Sequence, residues 1–248
     1  MTDDRRRLLR LMRGASENFV TARATIREWR DEKTVDEVRE RIAETEAYRR
    51  IFGPPEQRGG GLREDRGEFE RTWRVWHEKP NRWRQEIEPS DGSGTEYRVV
   101  DGDDFWAYSP RFGPRHAVAR RSEYGGGFGP EFEISHVFDP GVSHLELDAL
   151  ELRSVGRTRL AGREAIRVQG VKPGGWDRPP EPMWWGADDY EIVVDVERGV
   201  ILSLASRLQG RAFDVTEVLD IGFDETFQRG TFALRLPGVR FDTTDWLT

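Results

Sequence analysis

Between Glu68 and Ile221 the chain runs in short stretches where apolar side chains recur at every second position, punctuated by Gly, Pro, Asn and Asp. A period of two sets those side chains on one face of an extended strand and does not suit a helix, whose period is 3.6. The stretches run from Phe69 to Val75, Trp83 to Ile87, Tyr97 to Val99, Phe105 to Tyr108 and Arg115 to Arg121. They resume from Leu152 to Thr158, Ala165 to Val171, Tyr190 to Val196, Val200 to Leu208 and Phe213 to Ile221. Asn18 to Trp29 precedes them, and Thr231 to Leu236 reads as a final strand. Ser90 to Gly94, Asp101-Gly102, Ala161-Gly162-Arg163 and Glu197-Arg198-Gly199 supply turns between neighbours. About ten or eleven strands with turns at regular intervals predict a mainly β chain on one antiparallel sheet, strongly curved or partly closed. Residues 131–150 suit a short helix as well as a strand.

Helices are few. Residues 1–16 form a short amphipathic helix, with Leu8, Leu11 and Met12 at spacings of three and four. Thr34 to Phe52 forms a second, with Val35, Val38 and Ile42 on one face and Thr34 and Glu37 spaced as a capping box. Gly53-Pro54-Pro55 stops it, and a glycine-rich loop runs on to Gly67. Residues 33–67 thus read as a charged helix-and-loop insertion, and residues 172–189 as a loop stiffened by Pro and rich in Trp. No internal repeat or linker cuts the chain, so the expectation is a single domain over 1–248.

Each strand presents an apolar face, and so few helices cover so wide a sheet with gaps. A curved sheet enclosing an apolar cavity follows. Trp73, Val75, Trp83, Ile87, Tyr97, Val99 and Trp106 are its expected lining. Met183, Trp184 and Trp185, in the stiff loop, read either as simple packing over a sheet end or as an aromatic lid.

Composition removes several function classes. The formal charge of −7 argues against nucleic acid, whose phosphates call for a basic surface. The absence of Cys excludes disulfides, thiolate metal sites and Cys nucleophiles. No apolar run reaches the roughly 20 residues of a transmembrane helix. His77, His116, His136 and His144 show no metal-ligand spacing, and no nucleophile or phosphate-binding motif is present. Asp101-Gly102-Asp103-Asp104 reads as a hairpin turn and not as a calcium loop. The expectation is no catalytic residue, no metal and no cofactor. Arg10 and Arg13 interrupt the apolar stretch after Arg5-Arg6-Arg7, so the start does not read as a signal peptide, and a cytoplasmic location is expected.

The order of motifs resembles the LolA/LolB superfamily of lipoprotein carriers, in its divergent actinobacterial form. The resemblance covers about residues 8–237. It rests on Phe19-Val20-Thr21-Ala22, Lys79-Pro80-Asn81-Arg82-Trp83-Arg84, Val100-Asp101-Gly102 and Phe105-Trp106-Ala107-Tyr108-Ser109-Pro110. It continues with Leu160-Ala161-Gly162-Arg163-Glu164-Ala165, Asp189 to Asp195, Gly199-Val200-Ile201-Leu202 and Phe223-Asp224-Glu225-Thr226-Phe227. The resemblance implies a half-open barrel of about eleven strands, two or three helices as lid or plug, and a cavity for acyl chains. It implies a non-catalytic carrier of a lipid or an acylated protein. Lys79 stands where the carrier has the basic residue that helps hold its lid, which makes it the latch candidate. Relatives of this kind are exported, and some are lipid-anchored. A regulatory module binding a protein partner on the same fold, of sensor or anti-sigma-partner type, is the alternative. Its distinctive surface would be residues 33–67 and the stretch 181–248, with 13 acidic against 6 basic side chains. A hydrolase is the third reading.

Overall fold

The computed structural model describes residues 3–43, 67–118, 150–171 and 186–242, together with 45, 49, 136–138 and 140. Helix α1 (Asp3–Arg13) leads through a short 3-10 turn into strand β1 (Thr21–Asp31) and helix α2 (Glu32–Ala43). A first meander follows: β2 (Glu68–Glu78), β3 (Arg82–Pro89), β4 (Glu96–Asp101), β5 (Asp104–Ser109) and β6 (Gly113–Val118). The second comprises β7 (Glu151–Leu160), β8 (Arg163–Val171), β9 (Asp189–Asp195), β10 (Ile201–Leu208) and β11 (Arg211–Phe223). All eleven strands belong to one antiparallel sheet in the order β6-β5-β4-β3-β2-β1-β11-β10-β9-β8-β7. The sheet is open, with β6 and β7 as its edges. Both edges carry features that discourage pairing with another chain: Pro114 in β6, and several arginines and a bulge in β7.

Two compact units are distinguished. The first comprises residues 1–18, 28–70 and 133–217. Its core sets Leu8, Leu9 and Met12 of α1 and Val35 and Val38 of α2 against Val168, Tyr190, Ile192, Val194, Ile201, Leu204 and Phe213. Helix α2 begins two residues before the expected Thr34. Asp31 is its cap: Oδ1 accepts from the Lys33 and Thr34 amides at 3.2 and 3.3 Å, and Oδ2 from the Thr34 hydroxyl at 2.7 Å. The Thr34 side chain is thereby engaged with the cap and is not itself the cap. These hydrogen bonds hold the Asp31 carboxyl below its ordinary range.

The second unit comprises residues 19–27, 71–132 and 218–248. Register divides its strands into two faces, because residues directly opposite in an antiparallel pair share a side. One face carries the row Trp76, Arg84, Val99, Trp106 and His116. The other carries the row Val75, Gln85, Arg98, Ala107 and Arg115, with Trp73 and Ile87 on one side of it and His77 and Trp83 on the other.

The expected strand Thr231–Leu236 does not form. That segment lies against the first face, where Phe227, Phe232, Leu234, Leu236 and Phe241 cluster with Val99, Trp76, Tyr97, Trp106 and Tyr108. Arg84 donates to the carbonyls of Thr231 and Ala233 at 3.1 and 3.2 Å, and Arg82 lies 4.5 Å over the Phe232 ring. Since β11 already sits between β1 and β10, the segment cannot pair beside it, and its apolar residues serve as a cover.

Candidate functional site

A groove of about 1130 Å³ lies in the first unit, between α1 and the strand pair β7–β8 at one edge of the sheet. Its helical wall presents Arg7, Leu8, Arg10 and Leu11. Its sheet wall presents Leu152, Ser154, Arg157, Ile166 and Val168. The volume exceeds the roughly 300–1,000 Å³ of common ligand clefts. The lining is aliphatic within and cationic at the rim.

A β-bulge sets the composition of the sheet wall. Ser154 pairs with Val168, but Arg157 pairs with Ile166, so one extra residue lies between them on β7. Val168 and Ile166 are two apart and share a face. Leu152, Ser154 and Arg157 therefore share it too, although simple alternation would send Arg157 to the opposite side. Gly156, at the bulge, takes a φ of 151° that residues with a side chain rarely adopt.

The helical wall is held by a chain of contacts that starts at Asp195, which is fully buried. Its Oδ1 accepts from the amides of Glu197 and Arg198 at 2.8 and 2.7 Å, and its Oδ2 from Arg163 Nε. The carboxylate hydrogen bond and the surrounding charge raise the Arg163 guanidinium above its ordinary range. The turn so fixed grips the end of the helical segment, where Asn18 Nδ2 donates to the Arg198 carbonyl at 3.0 Å and Arg198 Nη1 donates to the Asn18 carbonyl. Gly199, with φ 78°, allows the Leu11 backbone to approach closely.

None of the described residues expected to line a cavity is among the lining of this groove. Trp73, Val75, Trp83 and Ile87 share the second face of the other unit, and Tyr97, Val99 and Trp106 share the first, beneath the C-terminal cover. Trp73, Val75 and Val99 are fully buried. Met183, Trp184 and Trp185 lie outside the described residues. A smaller groove of about 390 Å³ opens on the second face towards β6, between Arg98, Phe105, Ala107, Phe112 and Arg115. Lys79 stands at the β2–β3 turn. Its amide donates to the Val20 carbonyl at 3.1 Å, and its Nζ lies 4.7 Å over the Phe19 ring.

Beside it His77 stacks on Trp83 at 3.6 Å and meets Phe19 edge-on. Burial, reinforced by the Lys79 charge, pushes the His77 pKa down to about 3, so the ring is neutral near pH 7. Sequence reading did see the amphipathic α1 with its arginines. It could not see β7 brought up against that helix.

Among the described residues no helix is long and apolar enough to cross a membrane, and no three His, Asp or Glu side chains gather as a metal site would require. No protein-family model matches the sequence, and no curated protein matches it. Solved structures do. MucB superposes with a TM-score of 0.52 at 14% identity, over 94% of this chain and 64% of its own, so the chain spans somewhat under two thirds of MucB. The Mycobacterium tuberculosis lipoprotein LppX gives a TM-score of 0.45 at 11% identity, over 92% of this chain and 99% of its own. A LolA superfamily protein from Nitrosomonas europaea gives 0.29 at 9% identity, over 92% and 97%. The chain therefore shares the fold of MucB, and at 14% identity that likeness is one of fold alone.

Proposed function

We propose that this chain is a non-catalytic binding protein that holds a hydrophobic chain, from a lipid or from an acylated protein, in the groove between α1 and β7–β8. The observation that carries the reading is the groove itself: about 1130 Å³, floored by Leu8, Leu11, Leu152, Ile166 and Val168. Apolar surface of that kind gains about 25 cal/mol for each Å² covered, and an alkyl chain needs no polar partner to cover it.

The test is calorimetric binding of lauric acid, kept below its micelle-forming concentration, to the delipidated full chain and to Ser154→Trp. Ser154 is exposed and lines the groove, so an indole there fills space without disturbing the core. The variant should bind at least about tenfold more weakly, a loss of about 1.4 kcal/mol, with an unchanged melting temperature. Absence of binding to the parent chain, or equal binding to both, overturns the reading. A chain that binds no fatty acid yet retains a protein partner would instead be the interaction module.

A further inference from the structure

We infer that the occupant of this groove is an anionic amphiphile, its negative head held by Arg7, Arg10 and Arg157; this rests on the groove being the ligand site. Arg7 and Arg10 stand on the helical wall and Arg157 on the sheet wall, so the three guanidiniums flank one opening. All three are exposed, and among the residues whose side chains are described no carboxylate is seen paired with any of them. Elsewhere in this chain many arginines do have an acidic partner: Arg23 with Asp220 and Glu225, Arg74 with Glu88, Arg82 with Glu78 and Asp101, Arg163 with Asp195. Two further charged groups line the groove. Arg153 lies 3.6 Å from Glu151, and Glu17 is the one carboxylate of the lining. The lining therefore carries four guanidiniums against one carboxylate, in a protein whose formal charge is −7.

A guanidinium presents a planar fork of donors that fits phosphate or carboxylate oxygens two at a time. Like charges facing across a groove repel one another, and an anion between them relieves that repulsion. Beneath the rim the lining turns aliphatic, with Leu11, Leu152, Ile166 and Val168, so the same opening offers a place for a charged head and for the chain attached to it. The bulge at Gly156 belongs to this arrangement, because it brings Arg157 onto the groove face beside Ser154.

The experiment compares dodecyl phosphate, zwitterionic dodecylphosphocholine and inorganic phosphate, binding to the full chain below micelle-forming concentrations. The two amphiphiles share one alkyl chain and differ in net charge. At low salt dodecyl phosphate should bind about tenfold or more tightly than dodecylphosphocholine, and the gap should narrow at about 0.5 M salt as exposed charges are screened. In Arg7→Gln/Arg10→Gln/Arg157→Gln the two affinities should become equal. Equal affinities in the parent chain, or a gap that survives the triple substitution, overturn the headgroup clamp while leaving the groove as a chain-binding site. Inorganic phosphate binding as tightly as dodecyl phosphate also overturns it, since the site would then be one for a free anion. If neither amphiphile binds, the groove reading fails first and the clamp with it.

Discussion

Acidification from pH 7 to pH 5 should cost this protein about 2 kcal/mol through His77 alone, and His77→Phe should abolish that part of the loss. The ring is only 7% exposed, stacked on Trp83 and met edge-on by Phe19, with the Lys79 ammonium close by. Burial and that charge lower its pKa to about 3 in the fold. In the unfolded chain an ordinary histidine titrates near 6.5. Between those values the unfolded state binds a proton that the folded state refuses, so stability falls as pH falls through 6.5. The slope approaches about 1.4 kcal/mol per pH unit below that point, and the accumulated loss nears 4–5 kcal/mol by pH 3.

Urea unfolding at pH 7, 6 and 5 checks this, because few carboxylates titrate in that range. The parent chain should lose midpoint steadily and His77→Phe should hold it, the phenyl ring keeping the stack on Trp83. Equal slopes for the two proteins would refute the assignment.

Gly199→Ala should be the most damaging single methyl group in the first unit, lowering stability by about 3 kcal/mol, or about 6–12 °C in melting temperature. Two costs combine there. A residue with a side chain pays about 1–2 kcal/mol for the left-handed φ of 78°. The added Cβ would also sit 2.7 Å from the Leu11 carbonyl carbon and nearer still to its oxygen, which is backbone and cannot rotate aside. Either the turn opens or α1 moves off its seat, and with α1 goes one wall of the groove. Gly210→Ala is the control: its φ is 77°, but nothing lies within 4 Å of the new methyl. Calorimetric melting of both variants separates the conformational cost from the clash. If the two lose the same stability, α1 is not held at Leu11.

The strands were legible because their signals are local. Asp101 and Asp104 close the β4–β5 hairpin where Asp-Gly was expected, with Gly102 at φ 64°. Ala161-Gly162 turns β7 into β8, both residues at positive φ, as a two-residue hairpin requires. The second helix was found through Val35, Val38 and Ile42, while its true cap, Asp31, was hidden in a strand that ends on it. The strand expected at Thr231 failed for a non-local reason. Whether an apolar extended segment pairs or covers depends on what the fold brings beside it, and here that is the apolar face of β2, β4 and β5.

Parity set the limits on the site. Alternation says that Trp73 and Val75 share a face, and that Tyr97 and Val99 do. It cannot say that the two pairs look in opposite directions, which depends on Gln85 pairing with Arg98 and Arg84 with Val99. A shift of one residue in that register would have merged them into a single surface. The bulge in β7 changed parity within one strand, and only pairing with β8 reveals it.

The amino-acid sequence by itself determined where the eleven strands that form would lie, most of their turns and the apolar faces of both helices, since each depends on residues a few positions apart. Tertiary structure alone decided which faces meet, what the C-terminal segment covers, and that arginines 147 or more positions apart flank one groove. Those outcomes depend on strand register and on helix docking, and hydrophobic burial is non-directional: it requires that apolar surface be covered without specifying by what.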